Sequence, residues 1–279
     1  MHNTSMNKLS REKQVRVVAA LVEGNSIRAT ERMTGVAKHT ILKLIRDLGL
    51  ACADYQDRVL VNLNCKRVQL DEVWQFCYAK SKNVPADKRG QFGFGDVWTW
   101  VALDADTKLV PAFMTGNRDG QSARMFIDDL KSRLANRVQL TTDGLNVYLN
   151  AVEGAFGADV DYAMLVKIYE SSQEETRYSP AVCTSCERKA ISGKPNPKHI
   201  STSYVERQNL TMRMSMRRFT RLTNGFSKKV ENHAYATAIH YMHYNFCRVH
   251  MTLRVTPAME AGIASSIWTI EEMIGRVLE

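Results

Sequence analysis

Apolar positions recur at intervals of three and four through the first fifty residues, and from about residue 66 the spacing shortens to strand-like alternation. Ser10 is placed to open a first helix whose stripe is Val15, Val18, Ala19 and Val22, and Gly24 stops it. Ser26 opens a second, shorter helix with Ile27, Ala29 and Met33 turned inward. Thr34, Gly35 and Val36 then form a tight turn before a third helix over 38–48. Ile41, Leu44 and Ile45 hold that helix to its partners, which leaves Lys38, His39, Thr40 and Lys43 on the outer face. This is the layout of a helix-turn-helix, whose last helix enters the DNA major groove by its N-terminal end. A three-helix packing unit with no DNA role fits the same pattern; the basic outer face favours DNA.

Residues 51–65 read as a linker. Strands are predicted over 67–79, 96–103 and 109–115, rich in aromatic and β-branched residues, with a turn at Asp104, Ala105 and Asp106. A helix over 121–134 carries Phe126, Ile127, Leu130 and Leu134 on one stripe. A strand over 137–142, a helix over 146–156 and a strand over 161–168 follow. Residues 169–198 show no period and read as a long loop. Helices are predicted again over 201–221 and 227–247. The order predicts an α/β fold with a mixed sheet flanked by helices, preceded by a small all-α unit. The division is therefore 1–50 helix-turn-helix, 51–65 linker, 66–254 main domain and 255–279 helical tail.

Charge sharpens this picture. The chain has 38 Lys and Arg against 29 Asp and Glu, a net +9. The excess sits in two blocks, +6 over residues 8–46 and +7 over 200–254. Two basic surfaces around a mildly acidic body point to an anionic partner, nucleic acid ahead of membrane. The polar first nine residues lack the apolar stretch of a signal peptide. The longest mainly apolar run, 97–103, falls far short of the roughly 18 residues needed to span a bilayer. The six cysteines therefore read as reduced thiols of a cytoplasmic protein.

Three acids stand out. Asp71 lies in the middle of the first aromatic strand, where an unpaired carboxylate is costly. Asp143 closes a short strand, and Glu206 falls early in a helix. Taken singly, each has a plain structural reading as a solvated strand end or a charge suited to a helix N-terminus. Taken together, three oxygen ligands from two strands and a helix suit Mg²⁺ or Mn²⁺ better than zinc.

At these residues the chain resembles the DDE transposases of bacterial insertion sequences, in particular the IS-one group. The resemblance is carried by Leu70-Asp71-Glu72-Val73-Trp74 with Ala79-Lys80-Ser81, by Thr142-Asp143-Gly144 with Tyr148, and by the run from Ser203 to Leu210 with Arg213 and, downstream, Phe226-Ser227-Lys228-Lys229. It implies an RNase H-like catalytic core and metal-dependent DNA strand cleavage and transfer. It also implies that Asp71, Asp143 and Glu206 are the catalytic metal ligands, with two Mg²⁺ or Mn²⁺ ions, Asp71 being shared between them. Double-stranded DNA, as element ends and target, is the implied partner, with pairing of two ends by a homodimer or larger assembly. Arg213 lies two helical turns beyond Glu206 and could hold a phosphate near the metals, with Arg207, Arg217 and Arg218 further out. An RNase H-like nuclease that cuts without joining, and a non-enzymatic helix-turn-helix regulator, are the competing readings.

Other motifs carry less. Cys183 and Cys186 form one CxxC, readable as plain thiols or as half of a zinc site completed by His199. His233, His240, His243 and His250 sit in an aromatic-rich helical stretch and read as core or phosphate-facing. Trp74, Trp98 and Trp100 have strand periodicity and read as core. The chain has no Walker-type phosphate loop and no Gly-x-Ser-x-Gly elbow.

Overall fold

The computed structural model describes residues 9–170, 182–220 and 223–279. Three helices come first: α1 (Arg11–Val22), α2 (Ile27–Thr34) and α3 (Lys38–Val59). Ser26 caps α2, its hydroxyl accepting the Ala29 N–H at 3.1 Å. Gly35 ends α2 at φ 67°, a left-handed conformation that a residue without Cβ adopts freely. Ser10 stands at the α1 N-cap but makes no side-chain cap bond there.

The expected linker is corrected. Helix α3 continues without a break through 51–59 and presents Cys52 and Gln56 to the interior. Gln56 Nε2 donates to the carbonyls of Cys52 and Ala238, so the amide hydrogens of the polar residue that interrupts the apolar stripe find partners inside the core, while its Oε1 is buried with none among the described residues. The partner is α7 (Val230–Phe246). Gly49 lets the two helices approach closely: a Cβ there would lie 2.5 Å from Cβ of Tyr235 and 2.7 Å from its backbone.

A six-stranded mixed sheet with the order β3-β2-β1-β4-β5-β6 forms the centre. Strands β1 (Arg67–Cys77), β2 (Gly95–Asp104) and β3 (Phe113–Gly116) make the antiparallel meander. Helix α4 (Gly120–Arg133) leads to β4 (Val138–Asp143), which runs parallel to β1, and α5 (Val147–Phe156) leads to β5 (Val160–Glu170), parallel to β4. This order is compatible with the RNase H-like sheet expected.

The expected long loop is also corrected. Residues 182–192 form β6, antiparallel to β5, although 171–181 lie outside the described residues. Side chains from Cys183 to Ile191 are exposed, so this strand is held by backbone pairing and has no apolar alternation to betray it. Cys183 and Cys186 stand on it with their Sγ atoms 3.7 Å apart. His199 is engaged elsewhere, its Nδ1 lying 2.7 Å from Arg67 Nη1.

Helix α6 (Ser203–Ser215) stops short of the predicted end. A 3₁₀ turn at Arg217–Phe219 follows and turns Phe219 into the core against His233; Arg221 lies outside the described residues. The tail contributes α8 (Pro257–Glu260) and α9 (Ile270–Leu278), the latter with a complete capping box at Thr269 and Glu272.

Strand alternation divides the packing around β1. Val68 and Leu70 join a cluster with Phe126, Tyr148 and Trp100 under α4 and α5, and that cluster continues into α1, α3 and α9. Val73 points the other way, into a cluster with Val205, Met212 and Phe219 beneath α6. Helix α7 is buried nearly all round, giving Ile239, Met242 and Phe246 to the first cluster and Tyr241 and Tyr244 to the second. Trp100 is core as expected, while Trp74 and Trp98, opposite each other on β1 and β2, are only half-buried. Among the described residues no helix is long and apolar enough to cross a membrane.

Candidate active site

The parallel pairing of β1 with β4 lasts three positions, Arg67 with Gln139 to Gln69 with Thr141. Beyond it β1 pairs with β2 and, at its far end, by a single bridge from Cys77 to Ser227, and β4 stops at Asp143. The sheet opens there, at the carboxyl end of a strand, where functional side chains of open α/β sheets commonly gather. Asp71 and Glu72 leave β1 at this opening on opposite faces. Their oxygens and one of Asp143 lie within 4.8 Å of one another.

Each acid is fixed by its surroundings. Asp71 Oδ1 accepts the N–H of Glu72 at 2.9 Å, and Oδ2 accepts the side-chain amide of Asn209 at 2.7 Å. Glu72 is the most enclosed, its side chain 1% exposed, accepting the hydroxyl of Tyr148 and, at 3.3 Å, Nε of Arg118. Asp143 Oδ1 accepts the Leu145 N–H at 3.0 Å, and its Oδ2 lies 3.7 Å from Arg118 Nη2. Arg118 in turn lies over the face of Trp98, 4.7 Å from the ring centre.

Burial, and then the nearby charge of Asp143, push the carboxyl of Asp71 up to about 7. The same two causes raise Glu72 to about 8. Carboxylates so close together and partly out of water resist ionising at once. This is an oxygen donor set carrying more negative charge than its cations offset.

Helix α6 is set over this opening by β1 itself. Gln69 Oε1 accepts the N–H groups of Tyr204 and Val205 at 2.9 and 3.1 Å, taking the role of an N-terminal cap. That fixes Glu206 and Asn209 along one cleft with Asp71, Glu72 and Arg213. Glu206 Oε1 accepts Nζ of Lys167, from β5, at 2.5 Å and the hydroxyl of Thr202. Arg213 donates to the carbonyls of Phe219 and Trp74 at 3.4 and 3.5 Å.

The sequence-derived trio is therefore reassembled in a modified form. Asp71 and Asp143 come together, and Glu206 lines the same cleft as Asp71 with its carboxylate tied to Lys167. The third member of the tight cluster is Glu72, which the sequence reading quoted but gave no role. Its signal was the adjacency of two acids within the aromatic and β-branched strand.

The DNA-facing candidates are distributed as follows. His39, Thr40 and Lys43 are exposed at the start of α3, and Lys38 is half-buried. Arg207 and Arg217 are exposed. Arg218 is turned inward, its Nη1 donating to Ser227 Oγ at 2.8 Å and to the Asn232 carbonyl at 2.7 Å.

No protein-family model and no curated protein matches the chain. Among solved structures it is similar to the piggyBac transposase in a synaptic complex with hairpin DNA, studied by cryo-EM. That likeness has a TM-score of 0.38 at 11% identity and covers 97% of this chain and 71% of the other.

Proposed function

We propose that the protein is a DDE transposase of the insertion-sequence type, which cuts DNA at the ends of a mobile element and joins the freed 3′-hydroxyl to target DNA. The observation that supports this best is the gathering of Asp71, Glu72 and Asp143 where β1 parts from β4, with Glu206 along the same cleft. The strand order β3-β2-β1-β4-β5 agrees with an RNase H-like core, to which β6 is an addition.

The donor set fits a hard divalent cation. All its atoms are carboxylate oxygens, and among the described residues the four acids form direct ion pairs with Arg118 and Lys167 alone. Asp71, Asp143 and Glu206 would hold Mg²⁺ or Mn²⁺, with Glu72 beside them. When bound, such ions activate the attacking oxygen and stabilise the leaving one. The chain's own residues prepare the place: Asn209 orients Asp71, Tyr148 and Arg118 hold Glu72, and Lys167 keeps Glu206 at the cleft. Arg207 and Arg217 offer positive charge to the DNA backbone. His39, Thr40 and Lys43 are presented for base edges in the manner of a recognition helix. Pairing two element ends calls for at least two copies on double-stranded DNA, in the cytoplasm of a bacterium.

Incubation with labelled oligonucleotides carrying the element's ends, target DNA and Mg²⁺ tests the reading. Joined products are expected, and they disappear with Asp71→Ala or Asp143→Ala. Cut but unjoined strands would instead make it a nuclease, and a mere gel shift unaffected by those substitutions would make it a regulator.

A further inference from the structure

A second cavity, of about 880 Å³, lies between the N-terminal helices and the stretch after α6. Its volume is within the usual range of ligand pockets. Arg28 and Lys38 reach it from α2 and α3, and Arg217, Arg218, Lys228 and Lys229 reach it from the other side. Among its described lining residues there is no Asp or Glu. Six cations with no carboxylate among the described lining residues are an anion's surroundings.

The wall behind these cations is apolar, made by Leu21, Ile27, Leu42, Ile45 and Ile239. His240 also lines it, 3% exposed, and neither of its ring nitrogens has a hydrogen-bond partner. Buried polar atoms without partners are uncommon and call for an explanation. Burial holds this imidazole down at about 3, so at neutral pH it carries one donor and one acceptor. A phosphate ion alone would leave the apolar wall and His240 unused. An apolar peptide would leave the six cations unused.

We propose that this cavity is a nucleotide pocket, taking an unpaired base against its apolar wall beside His240 and the attached phosphate on its cationic rim. The nucleotide comes either free or as an unpaired position within a DNA strand, at the cost of unstacking one base. The inference stands on the cavity's own chemistry and not on the acidic cluster. A chain that neither cuts nor joins DNA would therefore still be open to the test.

The test uses the full-length chain and fluorescence anisotropy at fixed salt. Two labelled duplexes of one sequence are compared, fully paired and with a single extrahelical nucleotide, and dAMP and inorganic phosphate serve as competitors. The expected result is about tenfold tighter binding of the duplex with the unpaired nucleotide, with competition by dAMP far exceeding that by phosphate. Ala236→Trp, which fills the cavity, removes the preference and leaves paired-duplex binding in place. Lys229→Glu, at an exposed position, weakens the preference without touching the interior. Competition by dAMP without a duplex preference would identify the free nucleotide as the ligand. Equal binding of both duplexes with dAMP no better than phosphate would overturn the proposal, as would a preference unchanged in both variants.

Discussion

Asn209 donates its side-chain amide hydrogen to Oδ2 of Asp71 at 2.7 Å, joining helix α6 to strand β1 at the acidic opening. Asn209 stands one turn beyond Glu206, so a single helix supplies one candidate ligand and the positioning bond of another. Partners that orient a ligand commonly change metal affinity by about 10–100-fold when removed. Asn209→Ala is expected to weaken Mn²⁺ binding by about tenfold in calorimetry, and Asn209→Gln to recover part of it. Unchanged affinity in Asn209→Ala would show that Asp71 needs no such support.

In the proposed function, Asp71 sets activity against stability. Its folded value, about 7, lies above the ordinary carboxylate value. The native state therefore holds this proton more tightly than the unfolded chain, a stabilisation complete below pH 4 and lost as the pH rises through 7. Asp71→Asn removes the charge but keeps the shape. Without divalent ions at pH 8 the variant is expected to melt at least about 2 °C higher than the parent, the shift that roughly 1 kcal/mol gives in a chain of this size. The gap closes towards pH 4, while strand transfer is lost at every pH. A variant that melts lower at pH 8 would contradict the electrostatic account.

Much of this site could be read from the sequence, because an acid inside an apolar strand and an acid at a strand end are local signals. Asp71 and Asp143 were legible for that reason. Glu72 was not, since alternation places it on the opposite face from Asp71, and only the early end of the β1–β4 pairing brings it to Asp143. Strand β6 was hidden because its side chains from Cys183 to Ile191 are exposed on both faces. The continuation of α3 was hidden because Asp54, Gln56 and Asp57 interrupt its apolar period, although the Gln56 amide donates to two carbonyls within the core.

Three histidines on α7 oppose the carboxylates in their effect on acid stability. Burial lowers His233 and His240 to about 3 and His243 to about 4, from an ordinary value of 6.5. The unfolded chain binds these protons first, so their stabilising share is present above pH 6.5 and lost as the pH falls through 4 to 3. Asp71 and Glu72 act in the opposite direction between about pH 4.5 and 7. The double variant Asp71→Asn, Glu72→Gln should therefore lose stability more steeply on acidification from pH 6.5 to 5, by up to about 3 kcal/mol per pH unit. Urea unfolding at closely spaced pH values reads this slope, and parallel curves would refute the opposition.

Gly49 tests the crossing of α3 and α7, and Gly154, in another helix, is its control. A Cβ on Gly49 would meet Tyr235 at 2.5 Å, whereas one on Gly154, within α5, meets nothing within 4 Å. Gly49→Ala should cost about 1–3 kcal/mol by overpacking. Gly154→Ala should add up to about 1 kcal/mol through helix propensity. Denaturant midpoints separate the two, and equal effects would mean that the helices part without cost.

The exposed start of α3 gives the last expectation, and the continuous helix decides how to test it. Cutting the chain before Ala51 would sever α3 inside a core shared by Ile45, Leu48 and Cys52, so lost binding would report unfolding. Substitution of exposed His39 and Lys43 avoids this. If these residues reach base edges, each change to Ala costs about 1–3 kcal/mol on the element's own ends and little on unrelated DNA. If they touch only phosphates, both DNAs weaken alike and the salt dependence becomes shallower. Competition binding with the two DNAs over a range of salt distinguishes these outcomes. A uniform loss would make α3 a clamp on the backbone and leave sequence reading to another part of the chain.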